Sequence, residues 1–269
     1  MKLEKDTQVN QVMRQHHIDL LPGDVGETVI LPGDVSRAEI IASHFDSAEK
    51  IAHKRHYVTY TGMYKGVRVS VTATGIGGPA LAIAVEELIR VGAKNFIRVG
   101  TGGGLQSWLP VPATIVGTAA VRGDGTSREY FPLEYPAVAD FHTIEAIMQS
   151  AQEMGAEVFP GYIRGHDAFY AESIFADKVD YLNRGREWID AGVLIVSNES
   201  STLFPLAMVR GCRAATILTL VDCHQRPDLV VDEKAIDEKI SISIDLALEA
   251  AVKLHHLDHG SANSQEEKK

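Results

Sequence analysis

Three glycine-rich segments each follow a short apolar run, and two arginines lie close to the first and the third of them. Arg37 comes shortly after the first segment, and Arg98 lies inside the apolar run before the third, where an unpaired charge would be costly. Guanidinium groups, free backbone N–H groups and the nearby hydroxyl of Thr101 are typical phosphate ligands. The pattern therefore indicates a site for a phosphate group. We expect the three segments to be turns after strands, at residues 32–34, 74–78 and 100–104.

A simpler interpretation of the same residues stays open at this point. Tight glycine turns are common in α/β folds, and none of the three segments has the lysine of a Walker loop or the spacing of a dinucleotide fingerprint. Arg98 could also pair with a core carboxylate such as that of Glu87.

Two acidic residues follow other apolar runs. Glu199 comes after the run VLIV, where its carboxylate can accept hydrogen bonds from the two vicinal hydroxyls of a ribose; the alternative is an acid that stabilises a helix N-terminus. Asp222 ends the run ATILTLV and is a candidate general acid or anchor for a leaving group. Phe169 and Tyr170 could stack on a flat ring, although aromatic side chains in such a position are more often part of the core.

Apolar β-branched runs alternate with helical patterns along residues 25–256, which predicts an α/β domain that binds its ligand beyond the carboxyl ends of strands. No linker or repeat interrupts this region, so we expect a single domain with a mixed central sheet flanked by helices. Residues 1–24 are predicted to be an N-terminal arm and the polar residues 257–269 a disordered tail. The predicted strands are 28–31, 57–64, 67–73, 95–99, 113–118, 193–196 and 215–220, and the predicted helices are 36–44, 80–91, 141–154, 175–184, 201–211 and 234–254.

The composition excludes several classes of protein. With 36 acidic and 26 basic residues the net charge is −10, which is unfavourable for a general nucleic-acid binder. No apolar run reaches the roughly 18–20 residues of a membrane span, and the N-terminus has no apolar signal region. Two cysteines cannot form a disulfide scaffold. We therefore expect a cytoplasmic enzyme that contacts neither membranes nor nucleic acid.

The 11 histidines show no HExxH motif or other familiar ligand spacing. We expect His255, His256 and His259 to be solvated residues of the tail. The sequence thus predicts neither a metal site nor a cofactor.

Several segments, in order along the chain, resemble the nucleoside phosphorylase-I family, and most of all its uridine phosphorylases. The resemblance covers about residues 30–254 and implies a mixed, barrel-like sheet in subunits that form a hexamer built from dimers. It also implies a pentosyltransferase that cleaves a ribonucleoside with inorganic phosphate as co-substrate, giving a free base and ribose 1-phosphate. The segments that carry the resemblance are LPGDVSRAEIIA, AHKRHYVTYTG, TATGIGGPALAIAVEEL, FIRVGTGGG, PLEYPAVADF, HDAFY, NESSTL and LTLVD.

The resemblance further implies roles for individual residues. Arg55 matches an arginine that a neighbouring subunit supplies to the phosphate, and His17, or alternatively His16, matches a histidine that reaches the ribose from that subunit. Arg98 matches both a phosphate ligand and a catalytic group, and Asp222 is the second catalytic candidate. The other phosphate-binding matches are Gly33, Arg37 and Thr101; the other ribose-binding matches are Glu199 and Asn198; and the base-side residues are Phe169, Gly103, Ser173, Phe175 and Asp222.

The predicted base pocket departs from the uridine phosphorylase pattern. Ser173 and Phe175 stand where a glutamine and an arginine read uracil, and Asp222-Cys223 replaces an Asn-Arg pair. An aspartate there resembles the purine phosphorylases, in which it protonates or anchors the purine N7. The family's Glu-Met-Glu signature is reduced to Ser-Asn-Glu, with Glu199 retained. A uridine-type phosphorylase is the favoured interpretation; a purine or modified-base phosphorylase, a nucleosidase and a non-catalytic nucleoside binder are the alternatives.

Overall fold

A mixed nine-stranded sheet flanked by helices makes up the described part of the chain, which confirms the predicted α/β class. The computed structural model describes residues 13–170 and 179–260, and the backbone alone of residues 179–184. The strands are β1 (Thr28–Leu31), β2 (Ser47–Lys54), β3 (Tyr57–Tyr64), β4 (Val67–Thr72), β5 (Asn95–Gly104), β6 (Ala113–Gly123), β7 (Val158–His166), β8 (Ile195–Val196) and β9 (Arg213–Cys223). The helices are α1 (Val35–Ser43), α2 (Gly78–Arg90), α3 (Thr126–Tyr130), α4 (Phe141–Met154), α5 (Val179–Asp190), α6 (Ser200–Val209) and α7 (Glu233–His259).

One end of the sheet closes on itself. The strand order is β2-β3-β4-β1-β5-β8-β7-β6-β9, and β5 also pairs with β9, so the last five strands form a closed barrel. β5 runs parallel to β1 and β9, whereas β6 runs antiparallel to β9. The prediction of a mixed, barrel-like sheet is therefore confirmed.

The turn predicted at residues 100–104 is wrong, because these residues continue strand β5. A Cβ added to Gly102 would lie 2.3 Å from the carbonyl oxygen of Val196 in β8. Only a residue without a side chain lets the two backbones approach so closely. The glycines of residues 100–104 therefore allow the barrel to close, and they do not mark the end of a strand.

Helices pack against the sheet in two apolar cores. Side chains of α1, α4 and α7 fill one core, and side chains of α2 and α6 fill the other. Ile18 and Leu20 of the predicted N-terminal arm are fully buried in the second core. Over its described residues the arm is therefore packed onto the domain. No helix in residues 13–170 or 179–260 has both the length and the apolar composition needed to cross a membrane.

Two strands escape the sequence patterns for local reasons. Most side chains of β2 are exposed, so no alternation of apolar and polar residues marks it. β7 contains Pro160 and two glycines, which are unfavourable in a regular strand. The sequence patterns therefore predict seven of the nine strands and miss β2 and β7.

The C-terminal helix is longer than predicted. α7 extends to His259, so the predicted tail begins inside a helix, and residues 261–269 lie outside the described residues. His255, His256 and His259 lie on α7 and not in a tail, which corrects that part of the prediction. His256 and His259 are exposed as expected, whereas His255 is half-buried, and Nε2 of His259 is 2.8 Å from Oε2 of Glu27. The helix predicted at residues 175–184 overlaps α5, and residues 171–178 are not described.

Candidate active site

Parallel strands bring two glycine turns and Arg98 to one edge of the sheet. β1 pairs in parallel with both β4 and β5, and the backbone N–H of Thr74, after β4, donates to the carbonyl of Pro32, after β1, at 2.9 Å. A Cβ on Gly33 would lie 3.3 Å from the carbonyl oxygen of Gly75 and 3.6 Å from Nη2 of Arg98. We call the group of Gly33, Gly75 and Arg98 the arginine cradle.

The guanidinium of Arg98 is buried and only partly satisfied. The residue is 5% exposed, and its Nη2 donates to Oε2 of Glu199 at 2.6 Å. Its Nε and Nη1 are buried without a hydrogen-bond partner. An unpaired buried donor costs about 1–3 kcal/mol, and more when it is charged. Unpaired buried donors are rare in native folds, and these two lie beside a glycine turn. Together they are suited to bind an anion.

The alternative pairing of Arg98 with Glu87 is wrong. Glu87 lies on α2, where its carboxylate accepts the backbone N–H groups of His17 at 2.9 Å and Ile18 at 3.0 Å, and Nδ1 of His17 lies 2.7 Å from its other oxygen. Burial raises the pKa of the Glu87 carboxyl, but these bonds outweigh burial and leave the pKa below its ordinary value. Glu87 therefore fastens the N-terminal arm to α2.

A second guanidinium lies near the first. Arg37 is in the first turn of α1, whose N-cap is Asp34 with its side chain accepting the N–H of Ser36 at 2.8 Å. Burial lowers the pKa of Arg37; the carboxylate of Asp34 opposes this, and the positive charge of Arg98 adds to it. Two neighbouring cations repel each other, and an anion between them relieves the repulsion. The N-terminus of α1 presents its own positive dipole end to the same turn.

Glu199 connects the cradle to the start of α6. It is 3% exposed, and its Oε1 accepts the N–H of Gly77 at 2.8 Å while Oε2 is bonded to Arg98. Gly77 has φ of 93°, a conformation that a side chain would disfavour. Although Glu199 occupies the N-cap position of α6, its side chain makes no capping hydrogen bond. Its main partners are thus Gly77 and Arg98 and not the helix terminus; the adjacent Asn198 is also buried.

A second group of polar side chains surrounds Gly103. The β5–β9 pairing shifts at a bulge, so that Gly102 pairs with Leu220 and Gly103 pairs with Asp222. A Cβ on Gly103 would lie 2.8 Å from Oδ1 of Asp222 and 2.8 Å from Nε2 of His224. Bulges redirect side chains and are common beside active sites. We call Gly103, Asp222 and His224 the Gly103 cluster.

His224 is not singled out by the sequence patterns, yet a signal for it exists. Residues i and i+2 of a strand point to the same face, so Asp222 and His224 share a side if β9 continues. The backbone N–H of His224 donates to the carbonyl of Gly104 at 2.9 Å, which extends the β5–β9 ladder beyond Cys223. Had the predicted strand 215–220 been continued to residue 224, the alternation of side chains would have placed the imidazole of His224 beside the carboxylate of Asp222.

The other predicted site residues lie on several elements. Arg55 is exposed at the turn between β2 and β3, with φ of 57°. Phe169 and Tyr170 are 65% and 69% exposed, so their interpretation as core residues is wrong. Thr101 is half-buried in β5, opposite Thr219. Ser173 and Phe175 lie outside the described residues.

The chain is similar to known phosphorylases over most of its length. The family model of the phosphorylase superfamily matches residues 27–253. A uridine phosphorylase of Treponema pallidum is 41% identical over 79% of this chain and 83% of its own length, and a guanosine phosphorylase of Halorubrum lacusprofundi is 38% identical over 77% and 83%. The crystal structure of uridine phosphorylase from Vibrio fischeri is 32% identical, with a TM-score of 0.83 over 91% of this chain and 100% of that chain. The chain therefore belongs to the phosphorylase superfamily, and its resemblance to the nucleoside phosphorylase-I family of pentosyltransferases is confirmed.

Proposed function

We propose that the protein catalyses the reversible phosphorolysis of a ribonucleoside, with a uridine-type substrate favoured. The observation that carries the proposal is the buried guanidinium of Arg98, which has two unpaired donors beside the glycine turn after β1. The names of two of the relatives above, both uridine phosphorylases, support the choice of substrate.

Inorganic phosphate binds in the arginine cradle in this proposal. One phosphate oxygen attacks C1′ of the ribose, the bond from C1′ to the base nitrogen breaks, and its electron pair leaves with the base. Positive charge develops on the ribose in the transition state, and a phosphate dianion next to it stabilises that charge. Arg98, Arg37 and the N-terminus of α1 hold the dianion, at about 1.5–3 kcal/mol for each charge-assisted hydrogen bond. Thr101 is a further phosphate ligand in this proposal.

Glu199 orients the ribose. A carboxylate has about four acceptor positions, and Gly77, Arg98 and the hydroxyl of Ser197 take three of them. One ribose hydroxyl can therefore bind at Oε1, and the second replaces the 3.2 Å contact of Ser197 at Oε2. The contact with Arg98 then couples the position of the sugar to the position of the phosphate. The attacking oxygen and C1′ are thereby held next to each other, as the displacement requires. Asn198 lies beside this contact as a further ribose ligand.

The leaving base faces the Gly103 cluster, with Phe169 as its stacking partner. Asp222 protonates or anchors the base nitrogen that receives the electron pair. A purine or modified base is the second candidate substrate, because Asp222 and His224 together offer an acceptor and a group that can donate or accept. The guanosine phosphorylase among the relatives favours the same alternative.

Completion of the site by a second subunit is part of the proposal. Arg55 is exposed at a hairpin turn, and an exposed arginine there is available to a neighbouring molecule. We assign Arg55 to the phosphate, and His17 to the ribose, of the adjacent subunit in a dimer-based hexamer.

The test is release of free base from a panel of nucleosides with and without phosphate. The panel is uridine, thymidine, inosine, guanosine, adenosine and methylthioadenosine. We expect release only with phosphate, together with one equivalent of ribose 1-phosphate, and fastest with uridine. Release without phosphate would replace the proposal by a nucleosidase, and no release from any substrate would leave a nucleoside-binding protein.

A further inference from the structure

Three metal-ligating side chains converge far from the active site. One ligand atom each of Glu27, His255 and His259 lies within 4.8 Å of the other two. Nε2 of His259 is 2.8 Å from Oε2 of Glu27, and the rings of His255 and His259 are 4.5 Å apart. The two imidazoles are four residues apart on α7, which puts them on one face of the helix, as in helical zinc-binding motifs. This spacing corrects the expectation that the histidines have none typical of metal ligands.

Two rigid elements hold these groups in place. Glu27 directly precedes β1, and its carbonyl accepts the backbone N–H groups of Lys94 at 2.8 Å and Asn95 at 2.9 Å. His255 follows Leu254, which is 1% exposed and packs in the core under α7. The ligands therefore need little ordering before an ion binds.

The ligand atoms suit a divalent transition-metal ion. Glu27 offers a carboxylate oxygen, and His255 and His259 each offer an imidazole nitrogen, which are common ligands of such ions. The C-terminal end of α7 contributes a partial negative charge nearby.

We propose that Glu27, His255 and His259 bind a divalent transition-metal ion, with Zn²⁺ as the best match. Two imidazole nitrogens and one carboxylate oxygen are a common Zn²⁺ ligand set, in which water takes the fourth position. Lys94 occupies Oε1 of Glu27, and the ion takes the place of the His259 contact at Oε2. A neighbouring cavity of about 290 Å³, lined by all three ligands together with Arg68 and Asn95, gives room for the water.

Three protein ligands leave one position open, as in catalytic zinc sites, but the place of the cluster away from the reacting groups assigns the ion a structural role. Glu27 lies at the amino end of β1, whereas Gly33 and the arginine cradle lie beyond its carboxyl end. An ion at this cluster therefore ties the start of a central strand to the end of α7 without touching the reacting groups. Binding of the ion does not depend on the proposed function, which enters only through the activity comparison below.

The experiment uses the full chain made without a polyhistidine tag and stripped with a chelator. We expect calorimetric titration to show one Zn²⁺ per subunit, and saturation to raise the Tm by about 5 °C or more. Substitution of Co²⁺ should give the intense visible absorption of a tetrahedral ion. His255→Ala and His259→Ala should each weaken binding by more than the roughly 10-fold that loss of an outer partner causes.

His256→Ala is the matched control, since His256 is exposed on the same helix and stands outside the cluster. It should bind Zn²⁺ like the wild type. Absence of stoichiometric binding overturns the proposal, as does binding that His255→Ala and His259→Ala leave unchanged. Equal weakening by the His256→Ala control would also overturn it. The rate of phosphorolysis should be the same with and without the ion, and a Zn²⁺-dependent rate would refute the structural role.

Discussion

At the level of single residues, Arg98 carries a buried charge that a bound anion would satisfy. Its guanidinium is almost fully buried, and Glu199 satisfies only one of its nitrogens. A chain with a net charge of −10 has no general attraction for phosphate, so the positive potential has to come from a few local arginines. Arg98 and Arg37 supply it at the turn after β1.

Arg98→Lys should raise the KM for phosphate by about 10-fold or more, because a lysine keeps the charge but loses the planar fork. The KM for the nucleoside should change less. Steady-state kinetics with each substrate varied in turn measures both values. Arg210→Lys is the control, since Arg210 forms a surface pair with Glu86 on the outside of the molecule. An unchanged KM for phosphate in Arg98→Lys would remove Arg98 from the phosphate site.

A substitution at Gly103 tests the proposed base-binding role of the Gly103 cluster without changing the arginine cradle. In Gly103→Ala the new Cβ would come within 2.8 Å of both Asp222 and His224, so these side chains have to move. We expect kcat/KM for the nucleoside to fall by about 10-fold or more, with an unchanged KM for phosphate. Gly185→Ala is the control, because a Cβ there meets nothing within 4 Å.

Separate substitutions divide the roles within the Gly103 cluster. Asp222→Asn should lower kcat for purine nucleosides by about 100-fold if the carboxyl protonates the base. His224→Ala should change the preference between bases more than the rate with the best one. Substrate-panel kinetics of the two variants distinguishes these effects. Purine phosphorolysis at the wild-type rate in Asp222→Asn would contradict the role given to this carboxyl.

At the level of elements, a buried carboxylate at the end of β6 connects two helices near the site. Asp124 is fully buried and accepts hydrogen bonds from the N–H and hydroxyl of Ser127, on α3, and from the hydroxyl of Thr202, on α6. Glu199 directly precedes α6, so the position of this helix bears on the candidate site. Burial raises the pKa of Asp124, but its hydrogen bonds outweigh burial and lower the pKa below the ordinary value.

Asp124→Asn should therefore reduce the free energy of unfolding at pH 7 by about 2 kcal/mol. A carboxyl whose pKa is lowered by folding adds stability above its unfolded pKa, which is about 3.9, and this stability is lost as the pH falls through the folded value. The difference between wild type and variant should thus shrink below about pH 4. Urea unfolding at several pH values measures it, with the exposed Asp190→Asn as control. A difference that grows on acidification would contradict the assignment.

At the level of the whole molecule, the proposed exchange of Arg55 between subunits can be tested by complementation. Arg55→Ala and Arg98→Ala should each be inactive. A mixed dimer then contains one site with both arginines and one site with neither. Co-expression of the two variants should restore about a quarter of the wild-type activity, since random pairing gives half mixed dimers.

The matched control for complementation is the co-expression of two variants whose changed residues belong to the same subunit's site. Arg98→Ala and Glu199→Ala affect groups that are bonded within the same subunit, so each mixed site still lacks one of them. Their co-expression should restore nothing. No recovery in the first mixture would mean that Arg55 acts within its own subunit, and full activity of Arg55→Ala alone would mean that it has no role in the site. Equal recovery in both mixtures would mean that the recovery does not come from an exchange between subunits.

The sequence predicts much of the fold because helices and strands have local signatures. The strand and turn before Gly33, the helices α1, α2 and α4, and the β3–β4 hairpin all follow from periodicity, turn residues and caps. The exposed strand β2 and the proline-containing strand β7 have no such signature. The run of residues 100–104 misleads because glycine marks a turn and a close strand crossing equally well.

The sequence by itself determined the inventory of chemistry: the arginines, the acid after β8, the aspartate at the end of β9 and the family pattern that orders them. Only the tertiary structure decided which groups meet. Arg98 pairs with Glu199, which is 101 residues away, and not with Glu87; Asp222 is joined by His224; and Glu27 meets His259 across 232 residues. Pairing register and sheet order set these contacts, and both depend on interactions between distant segments, which no local pattern of residues encodes.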